Sequence, residues 1–432
     1  MISRAPGEKW GKERPQRKFK CFFIFFGGKV WYTGSITQLW KGGMTLKHKF
    51  DALIVGAGYA GAVCARALAE KGKTVLVVER RPHVGGNAYD RLDDAGVLIH
   101  QYGPHIFHTN NKTVFDWLSR FTQWRDYQHR VIANIPDEKG GRMTYPVPFN
   151  LTSLETAFGP EEGKRLGDKL IAAYGAEKKV TILELRQNAD PEIAALADYV
   201  YSHVFVRYTM KQWGQTPEEI DPNTTARVPV FLSRDDRYFQ DVYQGMPLEG
   251  YTPMFEQMLD HPNITVELGR DALKDLDVSG ERVLWEGAVF DGPVVYTGQA
   301  DELFAFRFGP LPYRTLDFQF ETLLQDDFQG YGTVNYTVDQ DFTRITEFKH
   351  MTGQVCPGRT TIVKEYSRAY EGREDETPYY AIIAPDNNAL YGQYADLARR
   401  FGSLYLLGRL AEYKYYNMDA IAARALELAE TL

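Results

Sequence analysis

The six residues Gly56-Ala57-Gly58-Tyr59-Ala60-Gly61 follow the apolar run Phe50–Val55 (FDALIV) and precede Ala62–Lys71, a stretch of helix-forming composition. A second apolar run, Thr74–Val78 (TVLVV), ends on Glu79. Three glycines at this spacing have separate duties: a tight turn, bare backbone where a pyrophosphate comes close, and tight packing of helix on strand. The helix start that follows offers unpaired N–H groups and a positive dipole end to phosphates. Glu79, eighteen residues after Gly61, is placed to accept hydrogen bonds from ribose hydroxyls. A glycine string alone is a weak signal. The strand before it, the helix after it and the acidic residue beyond make a βαβ dinucleotide-binding unit. Metal chemistry has less support: Cys21, Cys64 and Cys356 lie far apart without zinc spacing, and His105 and His108 have no third ligand at a recognisable interval.

The elements that must position this unit follow from periodicity. From Leu151 to about Gly214 apolar residues recur every three to four positions, predicting helices over Leu151–Phe158, Pro160–Tyr174, Ile182–Asn188 and Pro191–Trp213. From Thr225 onward Gly, Pro, Tyr and Val multiply and alternation appears, as in Thr315–Phe320 and Thr360–Tyr366, predicting antiparallel strands. A last strand, Ser403–Leu407, runs into Gly408-Arg409, and Met418–Leu432 closes as a helix. The order predicts a nucleotide-binding fold interrupted by a helical insertion and a sheet, with the C-terminus returning to it. No repeat of solenoid or propeller length is present.

Composition sets outer bounds. At 432 residues, 44% hydrophobic and 25% charged, the chain can bury a large core and divide into two or three domains. The net charge of −7 hides an asymmetry: residues 1–48 carry ten Lys/Arg against two acidic residues, leaving forty against fifty-five over 49–432. The apolar run Cys21–Phe26 inside the basic segment is shorter than a signal h-region or a membrane span. Residues 1–48 are therefore expected to be a basic tail or a misassigned start ahead of Met44, with membrane or nucleic-acid binding as the alternatives. The sparse cysteines fit a reducing cytoplasm.

Glu79-Arg80-Arg81-Pro82-His83-Val84-Gly85-Gly86-Asn87-Ala88 resembles the second glycine motif of the glutathione-reductase-like FAD proteins, which favours FAD over NAD. With these motifs in place, residues 49 to the end resemble the bacterial UDP-galactopyranose mutases. The resemblance rests on Tyr102–Asn110 (YGPHIFHTN), Tyr208–Gly214 (YTMKQWG), Arg237-Tyr238-Phe239 with Tyr243-Gln244-Gly245, Phe342-Thr343-Arg344-Ile345, Pro378-Tyr379-Tyr380 and Gly408–Tyr416 (GRLAEYKYY). It implies an α/β fold: a discontinuous Rossmann-like FAD-binding domain (49–129, 244–308, 398–432), a helical domain (151–218), and an antiparallel sheet and substrate domain (130–150, 219–243, 309–397) with a mobile loop near 220–230.

By the same resemblance Arg227 and Arg344 are the diphosphate-holding pair, a role suited to a planar guanidinium that can grip two phosphate oxygens. Tyr238, Tyr380 and Tyr415 would offer hydroxyls to the diphosphate or the sugar. Tyr208, Thr209 and Trp213 would take the uridine side, with Phe205 and Asn150 beside the substrate; helix core is the alternative for Tyr208 and Trp213. His105 and His108 would lie against the flavin ring, each with a purely structural alternative. The cofactor contacts implied are Gly56, Gly58, Tyr59, Gly61, Glu79, Arg80, Gly86, Asn87, His105, Gly408, Arg409, Tyr416, Asn417 and Met418. One departure stands out: the family commonly has Asp where this chain has Asn417, which keeps a hydrogen bond but not a negative charge.

The resemblance further implies an isomerase that interconverts UDP-galactopyranose and UDP-galactofuranose without net redox change. In that chemistry reduced FAD supplies N5 as nucleophile toward the anomeric carbon, an iminium lets the ring open and reclose, and UDP returns. An external reductant such as NAD(P)H and a homodimer come with it, with no nucleic acid and no membrane span. Two other classes compete: an FAD-dependent oxidoreductase of the amine-oxidase or phytoene-desaturase type, which shares the glycine opening but needs no arginine pair, and a non-catalytic nucleotide-sugar binder indifferent to flavin redox state.

Overall fold

The computed structural model describes residues 49–137, 140–215 and 229–432. The expectations for residues 1–48, for Arg227 and for most of the loop near 220–230 therefore fall outside the described residues.

The glycine unit supplies the central strand and one of its neighbours in a five-stranded parallel sheet ordered Ile264–Leu268, Val75–Glu79, Ala52–Val55, Val294–Tyr296, Leu404–Leu406. Successive residues of a strand face opposite sides, and here both sides are covered. Ile54, Val75 and Val77 join a core with helix Tyr59–Glu70 and the last helix, Met418–Thr431, while Leu53, Leu76 and Val78 join a second core with Phe304, Tyr394 and Leu404. That double burial is why the strands read as unbroken apolar runs.

A second, seven-stranded sheet runs in the order Tyr380–Ala381, Tyr313–Leu323, Thr360–Ala369, Arg344–Glu347, Thr333–Asn335, Val131–Pro136, Arg142–Val147. Its pairing is antiparallel except between Thr333–Asn335 and Val131–Pro136. The register sets Arg344 directly opposite Glu365 and Arg314 opposite Tyr380.

The helical insertion packs Leu154, Leu166, Leu170, Leu185, Ile193 and Leu196 around a third core. Helices Leu151–Phe158 and Pro160–Tyr174 have the bounds the periodicity predicts. The helix predicted over Pro191–Trp213 is not uniform: Pro191–Val200 is α, Tyr201–Phe205 is a π turn, and Val206–Trp213 is α again. Such wide turns recur at functional sites because they re-aim the side chains that follow. Helix Pro385–Arg399, with Tyr394, Leu397 and Ala398 buried, interrupts the region read as strands. Its sequence (DNNALYGQY) carries Asn, Asp and Gly, poor helix formers, so tertiary packing decides it.

Asn150, one of the residues the resemblance sets beside the substrate, is the N-cap of helix Leu151–Phe158. Its side chain accepts from the Ser153 N–H (2.9 Å), Ser153 Oγ reciprocates toward the Asn150 N–H, and Asn150 Nδ2 donates to Asp236 Oδ1 (2.8 Å). Asn150→Ala is expected to lower stability by about 1–2 kcal/mol, the cost of a lost cap at a buried position, readable as a shift of the thermal midpoint.

Candidate functional site

The glycine turn has the bareness a dinucleotide needs. A Cβ on Gly56 (φ +105°) would lie 2.0 Å from Thr297 Oγ1, one on Gly61 would lie 1.9 Å from the Gly56 carbonyl oxygen, and one on Gly86 (φ +56°) would lie 2.9 Å from Gly58 Cα. The helix that starts at Tyr59 has Gly58 as N-cap and no side-chain cap bond, which leaves its first amides to an anion. Glu79 is buried at the end of its strand, where its carboxylate accepts from the Ala57 N–H (2.8 Å) and the Arg81 N–H (2.9 Å) and so is fixed beside the turn. These residues fit the pyrophosphate and ribose of a dinucleotide. The Tyr59 ring instead points into the core, edge-on to Phe255 at 4.9 Å. Arg80 pairs with Glu302 (3.1 Å). Asn87 lies within the Gly86–Ala88 turn.

The second constellation gathers on one guanidinium. Arg344 hydrogen-bonds through Nη2 to the Tyr208 hydroxyl and faces the buried Glu365 carboxylate, Nε to Oε2, at 3.6 Å. Burial works against its charge, but Tyr208, Glu365, Tyr380 and Tyr238 outweigh that and hold it firmly protonated. Tyr380 and Tyr415 stack with centroids 6.1 Å apart, and Arg409 lies over both rings, at 5.7 and 4.7 Å, while its Nη2 donates to the Tyr416 carbonyl (2.6 Å). Burial, then Tyr415, pushes the Tyr380 hydroxyl pKa up against the pull of Arg409 and Arg344, so it remains a donor. Two permanent cations, four tyrosines and one carboxylate thus share a site suited to an anionic, hydroxyl-rich ligand.

The helix and the sheet that meet here explain the convergence. Tyr208 and Thr209 ride the helix beginning after the π turn, with Trp213 as its last residue, and Phe205 ends that turn inside the helical core. The Tyr238 N–H donates to the His129 carbonyl (2.8 Å), which brings its ring to Arg344. Arg409 follows Gly408, whose φ of +111° and close approach to Ala60 (3.2 Å for a Cβ) require a glycine where the chain returns to the cofactor turn. Asn417 caps the last helix at Met418 in an extended conformation, without a side-chain cap bond.

The histidines divide. His105 Nδ1 donates to the Gly103 carbonyl (2.8 Å), its N–H donates to His100 Nδ1 (3.0 Å), and burial holds its pKa down to about 3, so it is a neutral ring beside Arg409. His108 is bound through Nδ1 to Asp241 Oδ2 (2.9 Å) and stacked on Phe239 at 3.5 Å. His100 and His129 are more than nine-tenths buried, and burial lowers both to about 3. The native state refuses protons that the unfolded chain takes below its ordinary value of 6.5. Each of these two histidines is therefore expected to remove about 1.4 kcal/mol of stability per pH unit as pH falls from about 6 toward 3. Urea unfolding at stepped pH checks this, and His129→Gln should flatten the slope.

Sequence patterns assign no role to Glu365, or to Lys211 within the YTMKQWG motif. Both read as ordinary charged positions, on an alternating strand and on a helix; strand register brings Glu365 to Arg344, and helix docking brings Lys211 to the turn that precedes Arg344.

Together the parallel sheet, the bare glycine turn and the fixed Glu79 define a dinucleotide-binding α/β protein of the Rossmann class. Relatives agree on this and narrow it. The profile of the NAD(P)-binding Rossmann-like domain matches residues 54–121, and that of UDP-galactopyranose mutase matches residues 203–415. The UDP-galactopyranose mutase of Mycoplasma pneumoniae is 35% identical over 390 residues, covering 89% of this chain and 96% of the relative. A probable UDP-galactopyranose mutase of Klebsiella pneumoniae is 36% identical over 386 residues, covering 88% and 94%. The dTDP-fucopyranose mutase of Escherichia coli is 35% identical over 389 residues, covering 88% and 97%. The crystal structure of reduced UDP-galactopyranose mutase superposes with a TM-score of 0.65 at 16% identity, over 89% of this chain and 93% of that one. The chain belongs to the UDP-galactopyranose mutase family, a family of isomerases.

Proposed function

We propose that this protein interconverts UDP-galactopyranose and UDP-galactofuranose with FAD bound and reduced. The observation that carries the reading is the gathering of Tyr208, Tyr238 and Tyr380 around the Arg344 guanidinium, with Tyr415 stacked on Tyr380. When bound and reduced, the flavin supplies the nucleophile that lets the sugar ring open and reclose with no net change of oxidation state. Arg344 holds the diphosphate, and it must keep hold of it while the anomeric bond is broken, because the same anion has to return. Arg227 is the second guanidinium of this reading. Tyr380 and Tyr415 offer hydroxyls to the diphosphate and the galactose, and Tyr238 flanks the diphosphate. Tyr208, Thr209 and Trp213 form the uridine side. His105, neutral and with Nδ1–H engaged, presents its remaining ring nitrogen as an acceptor near the flavin.

The same reading includes a cytoplasmic location, an external reductant such as NAD(P)H, a homodimer and a role in supplying galactofuranose to a glycan. Buried free Cys64 and Cys356 fit a reducing compartment, and no described helix is long and apolar enough to cross a membrane.

Purified protein incubated with UDP-galactofuranose, with and without dithionite, tests the reading by chromatography of UDP-galactopyranose. Turnover in the reduced sample alone is expected. Oxidation of the substrate with bleaching of the flavin, or inertness in both states, would sink it. Because the E. coli relative is a dTDP-fucopyranose mutase at similar identity, dTDP-fucopyranose runs beside it, and faster turnover of the UDP sugar is the expected order.

A further inference from the structure

The turn Tyr336–Thr343 joins strand Thr333–Asn335 to strand Arg344–Glu347 and is closed by the Tyr336 N–H donating to the Thr343 carbonyl (3.0 Å). It is fastened to the helical insertion at three positions spaced four residues apart, His203, Arg207 and Lys211. Thr337 Oγ1 donates to the His203 carbonyl in the π turn (2.6 Å), and Arg207 Nη1 donates to the Val338 carbonyl (3.3 Å). Lys211 Nζ reaches three carbonyls of the turn at once: Tyr336, Gln340 (3.1 Å) and Phe342 (3.2 Å). An ammonium has three N–H donors, so this one is fully committed to backbone oxygens, much as a bound cation would be. Lys211 lies three residues after Tyr208 on the same helix, hence on the same face, and Phe342 lies two residues before Arg344. The clasp thus joins the helix that carries Tyr208 to the turn that leads into Arg344, the two partners of the Tyr208–Arg344 hydrogen bond.

We propose that Lys211 is a positioning residue for the isomerase reaction: its ammonium locks the 336–343 turn onto the Tyr208 helix and thereby aims the Arg344 guanidinium at the diphosphate. The proposal rests on the function proposed above for the Arg344 site. The charged groups facing Lys211 are Asp339 and Asp341 on the turn, which favour its charge, and Arg207 on its own helix, which opposes it; Asp339 is itself held by Arg142 (2.8 Å). Burial outweighs the aspartates and lowers the ammonium pKa to about 8. Deprotonation leaves two donors for three carbonyls, so the clasp loosens as pH rises through that value.

The test uses flavin-loaded enzyme, normalised by flavin absorbance, in wild type, Lys211→Met and Lys211→Arg. Lys211→Met is expected to lower kcat/KM for UDP-galactofuranose by about 10- to 100-fold, mainly through KM, the scale set by misplacing a binding group by about 1 Å. Wild type should lose affinity for UDP between about pH 7 and 9.5, while Lys211→Arg, which keeps its charge there, should hold its affinity across that range. A residue that only stabilised the fold would move neither KM per flavin nor this pH profile. Amide hydrogen exchange of residues 336–343 reports the clasp without substrate: faster in Lys211→Met, near wild type in Lys211→Arg. Unchanged exchange, or unchanged KM despite faster exchange, overturns the proposal. A wild type inert toward UDP-galactofuranose overturns the mutase reading itself and the role of the clasp with it, while exchange still shows whether the clasp exists.

Discussion

Arg344→Ala is expected to lower kcat/KM for UDP-galactofuranose by about 10²- to 10³-fold while the protein stays yellow, because truncating one partner of a desolvated charge pair costs about 2–5 kcal/mol. The cofactor features lie on other elements, the glycine turn and Glu79, so flavin retention separates a substrate role from a folding or cofactor role. A second cost must be kept apart from the first. Glu365 is almost wholly buried and faces Arg344 at 3.6 Å, and its Oε1 has no hydrogen-bond partner, so removing the guanidinium leaves a buried carboxylate uncompensated. Burial already raises the Glu365 pKa, with Arg344 pulling it down; without Arg344 it rises further. The native state of the variant then takes a proton more readily than the unfolded chain, and its stability falls as pH rises through the new value. Adding Glu365→Gln to Arg344→Ala is expected to restore much of the thermal midpoint and none of the turnover. Recovery of turnover in the double variant would assign Arg344 to folding instead of substrate. Arg344→Lys should fall between, since it keeps the charge and loses the planar fork.

What the sequence makes legible divides along local and non-local lines. The glycine unit could be read because its signal is contiguous: strand, turn, helix and acidic residue fall within thirty residues, and each element adopts the conformation its own residues favour. Helices Leu151–Phe158 and Pro160–Tyr174 were legible for the same reason, one periodic and capped by Asn150, the other opened by a proline at its first position. The π turn at Tyr201–Phe205 was not, since its residues are unremarkable in an α-helix and the extra residue is absorbed by docking, with Thr337 supplying a donor to the His203 carbonyl. Arg344 could be singled out by its motif, yet its partners could not. Glu365 meets it through strand register, and Lys211 grips the turn before it through helix packing, 125 or more residues away in sequence. Asn150 shows the opposite case: a residue named by resemblance as a substrate neighbour has a local structural duty that its N-cap position alone could have revealed.

Gly58→Ala is expected to give a colourless, folded protein, whereas Gly61→Ala should fail to fold stably at all. Gly58 has φ −81° and ψ −169°, backbone that any residue adopts, and its added methyl would find Gly86 Cα at 3.5 Å, an ordinary contact. The apoprotein should therefore still fold, with the gain from a stiffer unfolded chain set against the poorer N-cap that Ala makes, for a net change within about 1 kcal/mol. The methyl nevertheless stands at the start of the helix, where a pyrophosphate must reach bare amides, and the flavin is lost with the stabilisation that its binding contributes. At Gly61 the methyl would lie 1.9 Å from the Gly56 carbonyl oxygen and 3.0 Å from Ile54 Cγ2, which are backbone and central-strand atoms that cannot turn aside. The helix would have to lift from the sheet, which exposes Val63, Cys64 and Leu68 and breaks the core that they share with Met418–Thr431. Visible absorbance at equal protein concentration, beside urea unfolding of the apoproteins, checks both. A Gly58→Ala protein that purifies yellow with full flavin content would show that the pyrophosphate does not pass over this turn.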